Sequence, residues 1–156
     1  MAEREVVVLL GADLGDPIVQ CDRAEQMVGE RIAPVLARSR DHWTKPWGFK
    51  ADTLFLNRAL LLNTAMDAAS ILHTCLAIER ELGRVRPADG SMASRVIDID
   101  ILLVGNEVVA APDLEVPHPR LAFRRFALSP LCDVLPTWEH PVLHHTALHL
   151  LNAVPA

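Results

Sequence analysis

Asp98 and Asp100 stand one residue apart in "RVIDIDILL" (95–103), a run that is otherwise almost wholly aliphatic. A helix over this stretch would turn the two carboxylates roughly 200° apart. A strand, favoured by the β-branched Val96, Ile97, Ile99 and Ile101, would project both from one face with their Cβ atoms roughly 7 Å apart. Ile97, Ile99, Ile101 and Leu103 would then take the opposite face, toward a core. Paired carboxylates in a partly desolvated place repel each other, and a cation relieves the repulsion. Hard oxygen ligands favour Mg²⁺, which commonly takes one or two carboxylates together with phosphate oxygens and water. Simple polar alternation on a solvated strand would give the same pattern, so the pair alone does not decide between the two.

The basic residues add a second observation. Arg84, Arg86 and Arg95 precede the acidic pair, and Arg120, Arg124 and Arg125 follow it. On a chain of formal net charge −5, such a local cluster suits a small phosphate-bearing ligand better than DNA or RNA, which bind through a surplus of Lys and Arg. Two carboxylates for Mg²⁺ and several arginines for phosphate are what phosphoryl transfer requires, because positioning and charge neutralisation carry that chemistry. Arg95 has the wrong strand parity to share the face of Asp98 and Asp100. It reaches the same site only if the backbone twists there or the strand starts after it. A Walker A loop is absent.

The elements that must position these groups are readable from periodicity. "EVVVLLG" (5–11) is an aliphatic, β-branched run that predicts a buried strand. Residues 17–30 carry Pro17 at a first helical turn, with Ile18, Cys21, Ala24, Met27 and Val28 at helical spacing. Residues 35–43 alternate weakly, and 44–52 form a Pro/Gly loop that carries Trp47 and Phe49. A second central strand is expected over 53–63. Over 67–83 the signals predict a helix, with Asp67 as its cap, Ile71, Leu72, Cys75, Ile78 and Leu82 as its stripe and Gly83 at its end. A polar loop from 84 to 94 leads into the acidic strand, and Gly105-Asn106 turns the chain. Two C-terminal helices follow, in "RLAFRRFALSPLCDVL" and "HHTALHLLNAV". The order strand, helix, strand, strand, helix, strand predicts an α+β, ferredoxin-like (split βαβ) antiparallel sheet with packed helices and a C-terminal extension, all within one domain over 1–156.

Composition narrows the class further. No stretch approaches the roughly 20 uncharged apolar residues of a membrane span, and "MAEREVVVLL" lacks the basic start of a secretory signal. A cytoplasmic protein without membrane partners is the expectation. Cys21, Cys75 and Cys132 form no C-x-x-C pair and read as core residues. His145 and His149 are four apart, but no H-E-x-x-H is present and no acid completes a set with them, His140 and His144, so a surface helix is expected there. Nothing in the sequence specifies an oligomeric state.

Several motifs together carry a resemblance. "RVIDIDILLVGNEVV" followed by "VPHPRLAFRRFALSPLCDVLP" resembles the signature region of the 6-hydroxymethyl-7,8-dihydropterin pyrophosphokinases of folate biosynthesis. "WTKPWGF", "FLNRALLL" and "AIERELGRVR" fall in that family's order and spacing. The resemblance implies a ferredoxin-like fold that binds ATP with two Mg²⁺ ions and transfers the β,γ-diphosphate to the pterin hydroxymethyl group, releasing AMP. It assigns Asp98 and Asp100 to the metals. Arg84, Arg86, Arg95, His118 and Arg124 would hold the triphosphate, with Arg84 and Arg95 among the groups that act in catalysis, and Glu79 would lie on the nucleotide side. Thr44, Pro46, Trp47 and Asn57 would line the pterin pocket, while Phe55 and Phe126 would sandwich the ring. Stacking between aromatic faces suits a flat heterocycle, and an amide offers both donor and acceptor to its edge. Outside the resemblance, Phe55 and Phe126 would be ordinary core residues, and His118, between two prolines, a rigid turn residue.

The chain also departs from the family. Its first loop reads "GADLG" where the family has Gly-Ser-Asn-Leu-Gly, so Ala12 and Asp13 replace a hydroxyl and an amide. Leu76 stands where Gln is frequent, and the 87–94 loop has no Trp and a different length. These changes bear on the adenine contacts and on loop closure over ATP. They keep open a diverged paralogue that binds a pterin or nucleotide without this turnover, or acts on a related substrate. A purely structural domain with a solvated D-x-D strand is the remaining alternative.

Overall fold

The computed structural model describes residues 2–45, 54–83 and 96–155. Strand β1 (Arg4–Ala12) is buried without interruption from Val6 to Ala12, as expected of a strand covered on both faces. Asp16 opens helix α1 (Pro17–Arg31) by accepting a hydrogen bond from the Val19 amide, with Pro17 in the first turn. Of the α1 stripe, Cys21, Ala24 and Val28 are buried, whereas Ile18 is exposed. The weakly alternating stretch 35–43 resolves into two short strands, β2 (Ala37–Arg38) and β3 (His42–Thr44), and β4 (Phe55–Thr64) follows. Helix α2 (Ala68–Glu81) starts where Asp67 accepts from the Ser70 amide at 2.7 Å. Its end is closed by Gly83 at φ +95°, a conformation that favours glycine.

Strand β5 (Asp98–Val104) completes the principal sheet, whose order is β2-β4-β1-β5 with β3 also paired to β4, all antiparallel. One face packs on α1 and α2 through Val6, Val8, Leu10, Cys21, Ile71 and Ile78. The other face packs on helices α3 (Arg125–Val134) and α4 (Ala147–Ala153) through Val7, Leu9, Leu61, Leu128, Leu131 and Leu150. The architecture is α+β. Cys21 and Cys75 are buried free thiols, and burial pushes both up to about 12.

Three features correct the sequence expectation. The pairing of β1 with β5 slips between Val7↔Leu103 and Val8↔Ile101, so Leu102 is an extra residue. That bulge reverses the side-chain alternation. Ile97, Ile99 and Ile101 face α1 and α2 as expected, but Leu103 lies in the opposite cluster with Leu102. Next, residues 109–116 form a small hairpin, β6 (Val109–Ala111) and β7 (Leu114–Val116), where the sequence pattern predicts no element. Last, the helix expected from Arg120 onward is broken. A 3-10 turn (Leu121–Phe123) comes first, Arg124 is extended at φ −116° and ψ 97°, and only then does α3 begin. Helix α4 likewise starts after Thr146, which caps it.

Candidate active site

Sheet register brings the candidate groups together. Asn57 of β4 and Asp98 of β5 are both paired with Gly11 of β1, and Ala59 and Asp100 are both paired with Leu9. Directly opposed residues of antiparallel strands share a face. Asn57, Asp98 and Asp100 therefore project on the α3 side of the sheet, with Gly11 leaving a gap between the first two. Both aspartates are half-buried. Burial raises the Asp100 carboxyl well above the usual carboxylate range; Asp98 and Glu79 push it the same way and Arg124 opposes them. Asp98 and Glu79 thus act electrostatically on Asp100 near the edge of β5.

Glu79, expected on the nucleotide side, is 2% exposed and accepts the Ile99 amide at 2.7 Å. The bond satisfies an outward-facing N–H of an edge strand, and it fixes the backbone between the two aspartates. On the same edge, the bulge residue Leu102 accepts the His118 amide at 2.9 Å. The His118 Nδ1 in turn accepts from the Arg120 amide at 3.3 Å, which leaves the ring proton on Nε2. Burial, assisted by Arg124, pushes His118 down to about 4 against the pull of Asp98. At neutral pH His118 is therefore an uncharged Nε2–H donor. Arg124 reaches Asp100 and His118 electrostatically and also places its Cζ 5.3 Å from the centre of the Phe126 ring.

On the other half, Asn57 is 4% exposed and its Nδ2 donates to the Thr44 Oγ1 at 2.8 Å, with longer contacts to the His42 and Phe55 carbonyls. The amide was expected to offer both donor and acceptor to a ligand. Its nitrogen is engaged within the protein, so the oxygen is the group it presents. Between α2, the edge of β5 and the β6–β7 hairpin lies a cleft of about 520 Å³, with Leu72, Leu76, Ile101 and Leu114 as apolar lining and Asp100 and His118 at its polar side.

A family model described as 7,8-dihydro-6-hydroxymethylpterin-pyrophosphokinase matches residues 7–136. This chain belongs to that pyrophosphokinase family. Among similar proteins, the 2-amino-4-hydroxy-6-hydroxymethyldihydropteridine pyrophosphokinase of Porphyromonas gingivalis is 42% identical over 138 residues, covering 87% of this chain and 93% of its own. The protein of the same description from Methylorubrum extorquens is 37% identical, covering 81% and 80%. A Plasmodium falciparum HPPK-DHPS structure with pterin and p-hydroxybenzoate shares the fold at a TM-score of 0.77 and 16% identity. It is covered over 97% of this chain but 42% of its own, so the pyrophosphokinase chain spans less than half of that protein.

Of the residues that the family resemblance singles out, Thr44, Phe55, Asn57, Glu79, Asp98, Asp100, His118, Arg124 and Phe126 are described. Pro46, Trp47, Arg84, Arg86, Arg95 and the 87–94 loop lie outside the described residues, as does Phe49. Strand β5 begins at Asp98. Ala12 and Asp13 are buried at the end of β1, and Leu76 lines the cleft. His145 and His149 stack their rings at 4.2 Å, and among the described residues no group of three or more potential metal ligands occurs.

Two polar clusters escaped the sequence reading. Arg58 of β4, 3% exposed, donates to both carboxylate oxygens of Asp41 and also to Asp22 and Glu25. Asp133 of α3 accepts from Arg40 and His42. Only the lone Arg within "FLNRALLL" signalled the first, since a charge in an aliphatic run needs a partner.

Proposed function

We propose that this chain transfers diphosphate from ATP to 6-hydroxymethyl-7,8-dihydropterin, releasing AMP, in folate biosynthesis. Membership of the family supports the reaction, and the register Asn57–Gly11–Asp98 is the observation that carries it to these residues. Two strand spacings, roughly 10 Å, separate a polar pocket with an amide oxygen from a carboxylate pair flanked by an arginine and a neutral histidine. A pterin ring can occupy the first position and a polyphosphate the second.

In this reading the strand order supports a ferredoxin-like split βαβ arrangement within one domain, and Asn57 accepts a hydrogen bond from the pterin edge. The Thr44 hydroxyl, which accepts from Asn57, keeps its own proton for donation. Phe126, held under Arg124, offers one aromatic face, with Phe55 opposite it in the proposal. The nucleoside lies in the cleft beside Leu76. Asp98 and Asp100 would hold two Mg²⁺ ions in this reading, because burial together with Asp98 and Glu79 holds the Asp100 carboxyl up and a cation would relieve that crowding. When bound, Mg²⁺ neutralises developing charge on the phosphates. Arg124 and the Nε2–H of His118 bind the same oxygens, orient the chain of phosphates for in-line attack by the hydroxymethyl oxygen on the β-phosphorus, and stabilise departing AMP. Arg84, Arg86 and Arg95 complete the phosphate set in this proposal.

A turnover assay with ATP, Mg²⁺ and the dihydropterin tests the reading. AMP formed stoichiometrically with a pterin diphosphate is expected. ADP, or no nucleotide product, contradicts it.

A further inference from the structure

Residues 40–44 run from the end of β2 through β3 and carry Thr44, whose hydroxyl accepts from Asn57. Successive side chains of this strap are held from opposite faces of the sheet. On the α3 face, Asp133 accepts from the Arg40 amide at 3.1 Å, from Arg40 Nε at 3.2 Å and Nη2 at 3.1 Å, and is 2.8 Å from His42 Nε2. On the α1 face, Asp41 receives both prongs of Arg58, at 2.8 and 3.2 Å. His42 then pairs with Asn57, and Thr44 with Phe55, in the β3–β4 register.

Asp133 is largely covered, and its own helix does not call for a carboxylate. Its side chain is 19% exposed and it lies in the last turn of α3, where the helix dipole gives no reason for an acid. Four hydrogen-bonding groups nevertheless converge on it, and all of them belong to the strap. The contacts span more than 90 residues of sequence, so they tie the C-terminal layer directly to the strand that carries Thr44.

We infer that Asp133 is a positioning residue for the pterin half of the site. Resting on the proposed reaction, this assigns Asp133 the task of holding His42 and Arg40 so that β3 stays in register and Thr44 and Asn57 present their hydroxyl and amide oxygen to the ring. It touches no substrate. Its loss lets the strap drift and weakens pterin binding, while the nucleotide cleft on the far side of β1 keeps its geometry.

The test compares wild type, Asp133→Asn, Asp133→Glu and Arg40→Ala by calorimetry with the pterin and by steady-state kinetics in each substrate. Asparagine turns an amide toward donors and should raise the KM for the pterin about tenfold, in line with a small misplacement, with the KM for ATP within about twofold. Asp133→Glu keeps the carboxylate and should stay within about threefold of wild type. Arg40→Ala removes two of the four bonds at an exposed side chain and should shift the pterin KM in the same direction, which keeps the test available should Asp133→Asn fold poorly. Unchanged pterin affinity in Asp133→Asn and Arg40→Ala, or equal losses for both substrates, overturns the inference. A wild type that binds no pterin overturns the proposed reaction itself, and this inference with it.

Discussion

Asn57 and Asp98 stand at one level of the sheet, separated only by Gly11, which is paired with each of them. A Cβ added to Gly11 would meet nothing nearer than the Asn57 Oδ1 and the Leu56 carbonyl, both at 3.9 Å, and the residue has no left-handed φ. The protein itself therefore has room for alanine. A methyl group there narrows the gap between Asn57 and Asp98, the proposed pterin and phosphate positions. Gly11→Ala should keep or slightly raise stability, by about 0.5 kcal/mol as for a strand-interior glycine, and should lower turnover by about tenfold or more. Thermal unfolding and turnover measured on the same preparation check this. Wild-type turnover would mean that the gap is not part of the site.

Glu79 acts on the site through the backbone. Replacement by Leu leaves the buried Ile99 amide without an acceptor and should cost about 1–3 kcal/mol in urea unfolding. Replacement by Gln retains an oxygen for that amide and should cost far less, while removing a negative charge beside Asp100. Equal losses in the two variants would show that the hydrogen bond to Ile99 is not what Glu79 contributes.

His118 should leave a signature in stability against pH. Its folded value of about 4 lies below its ordinary 6.5, so between those limits the unfolded chain takes up a proton that the folded chain refuses. Stability is unaffected by this group well above pH 6.5 and falls as the pH drops toward 4, by about 3 kcal/mol at 1.36 kcal/mol per unit. In His118→Gln this part of the decline should vanish. Parallel wild-type and variant curves between pH 7.5 and 4.5 would contradict the assignment.

How much of this was legible in the sequence depended on the range of each signal. Alternation over 96–101 gave the two-faced strand, and Asp67 with Gly83 marked the ends of α2 by local hydrogen bonding and backbone geometry. The bulge at Leu102 was invisible because Ile101, Leu102, Leu103 and Val104 are all apolar in a sheet buried on both faces, and a change of parity leaves no mark there. The bond from the Ile99 amide to Glu79 left no mark for a different reason, since its donor is a backbone amide that carries no sequence identity. Asp133 with His42, and Arg58 with Asp22 and Asp41, are contacts across 17 to 91 residues, far beyond any periodic pattern.

Crowding of carboxylates near the edge of β5 has a measurable consequence for stability. Asp100→Asn mimics the protonated group that burial favours, and should raise the Tm of the unliganded chain by about 2–4 °C, the shift expected of a 1 kcal/mol gain at this chain length. In the proposed reaction the same change should abolish turnover, because the carboxylate proposed for Mg²⁺ loses its charge. A less stable Asp100→Asn would contradict the crowding, and one that retains turnover with Mg²⁺ would place Asp100 outside the proposed metal set.

In the proposed reaction the pterin oxygen attacks the β-phosphorus of ATP on this sheet face. ATP labelled at its β-phosphorus, incubated with the protein, Mg²⁺ and 6-hydroxymethyl-7,8-dihydropterin, should deliver all transferred label to the pterin product and leave the AMP unlabelled. Label retained in a nucleotide product, or a pterin carrying a single phosphate, would contradict it.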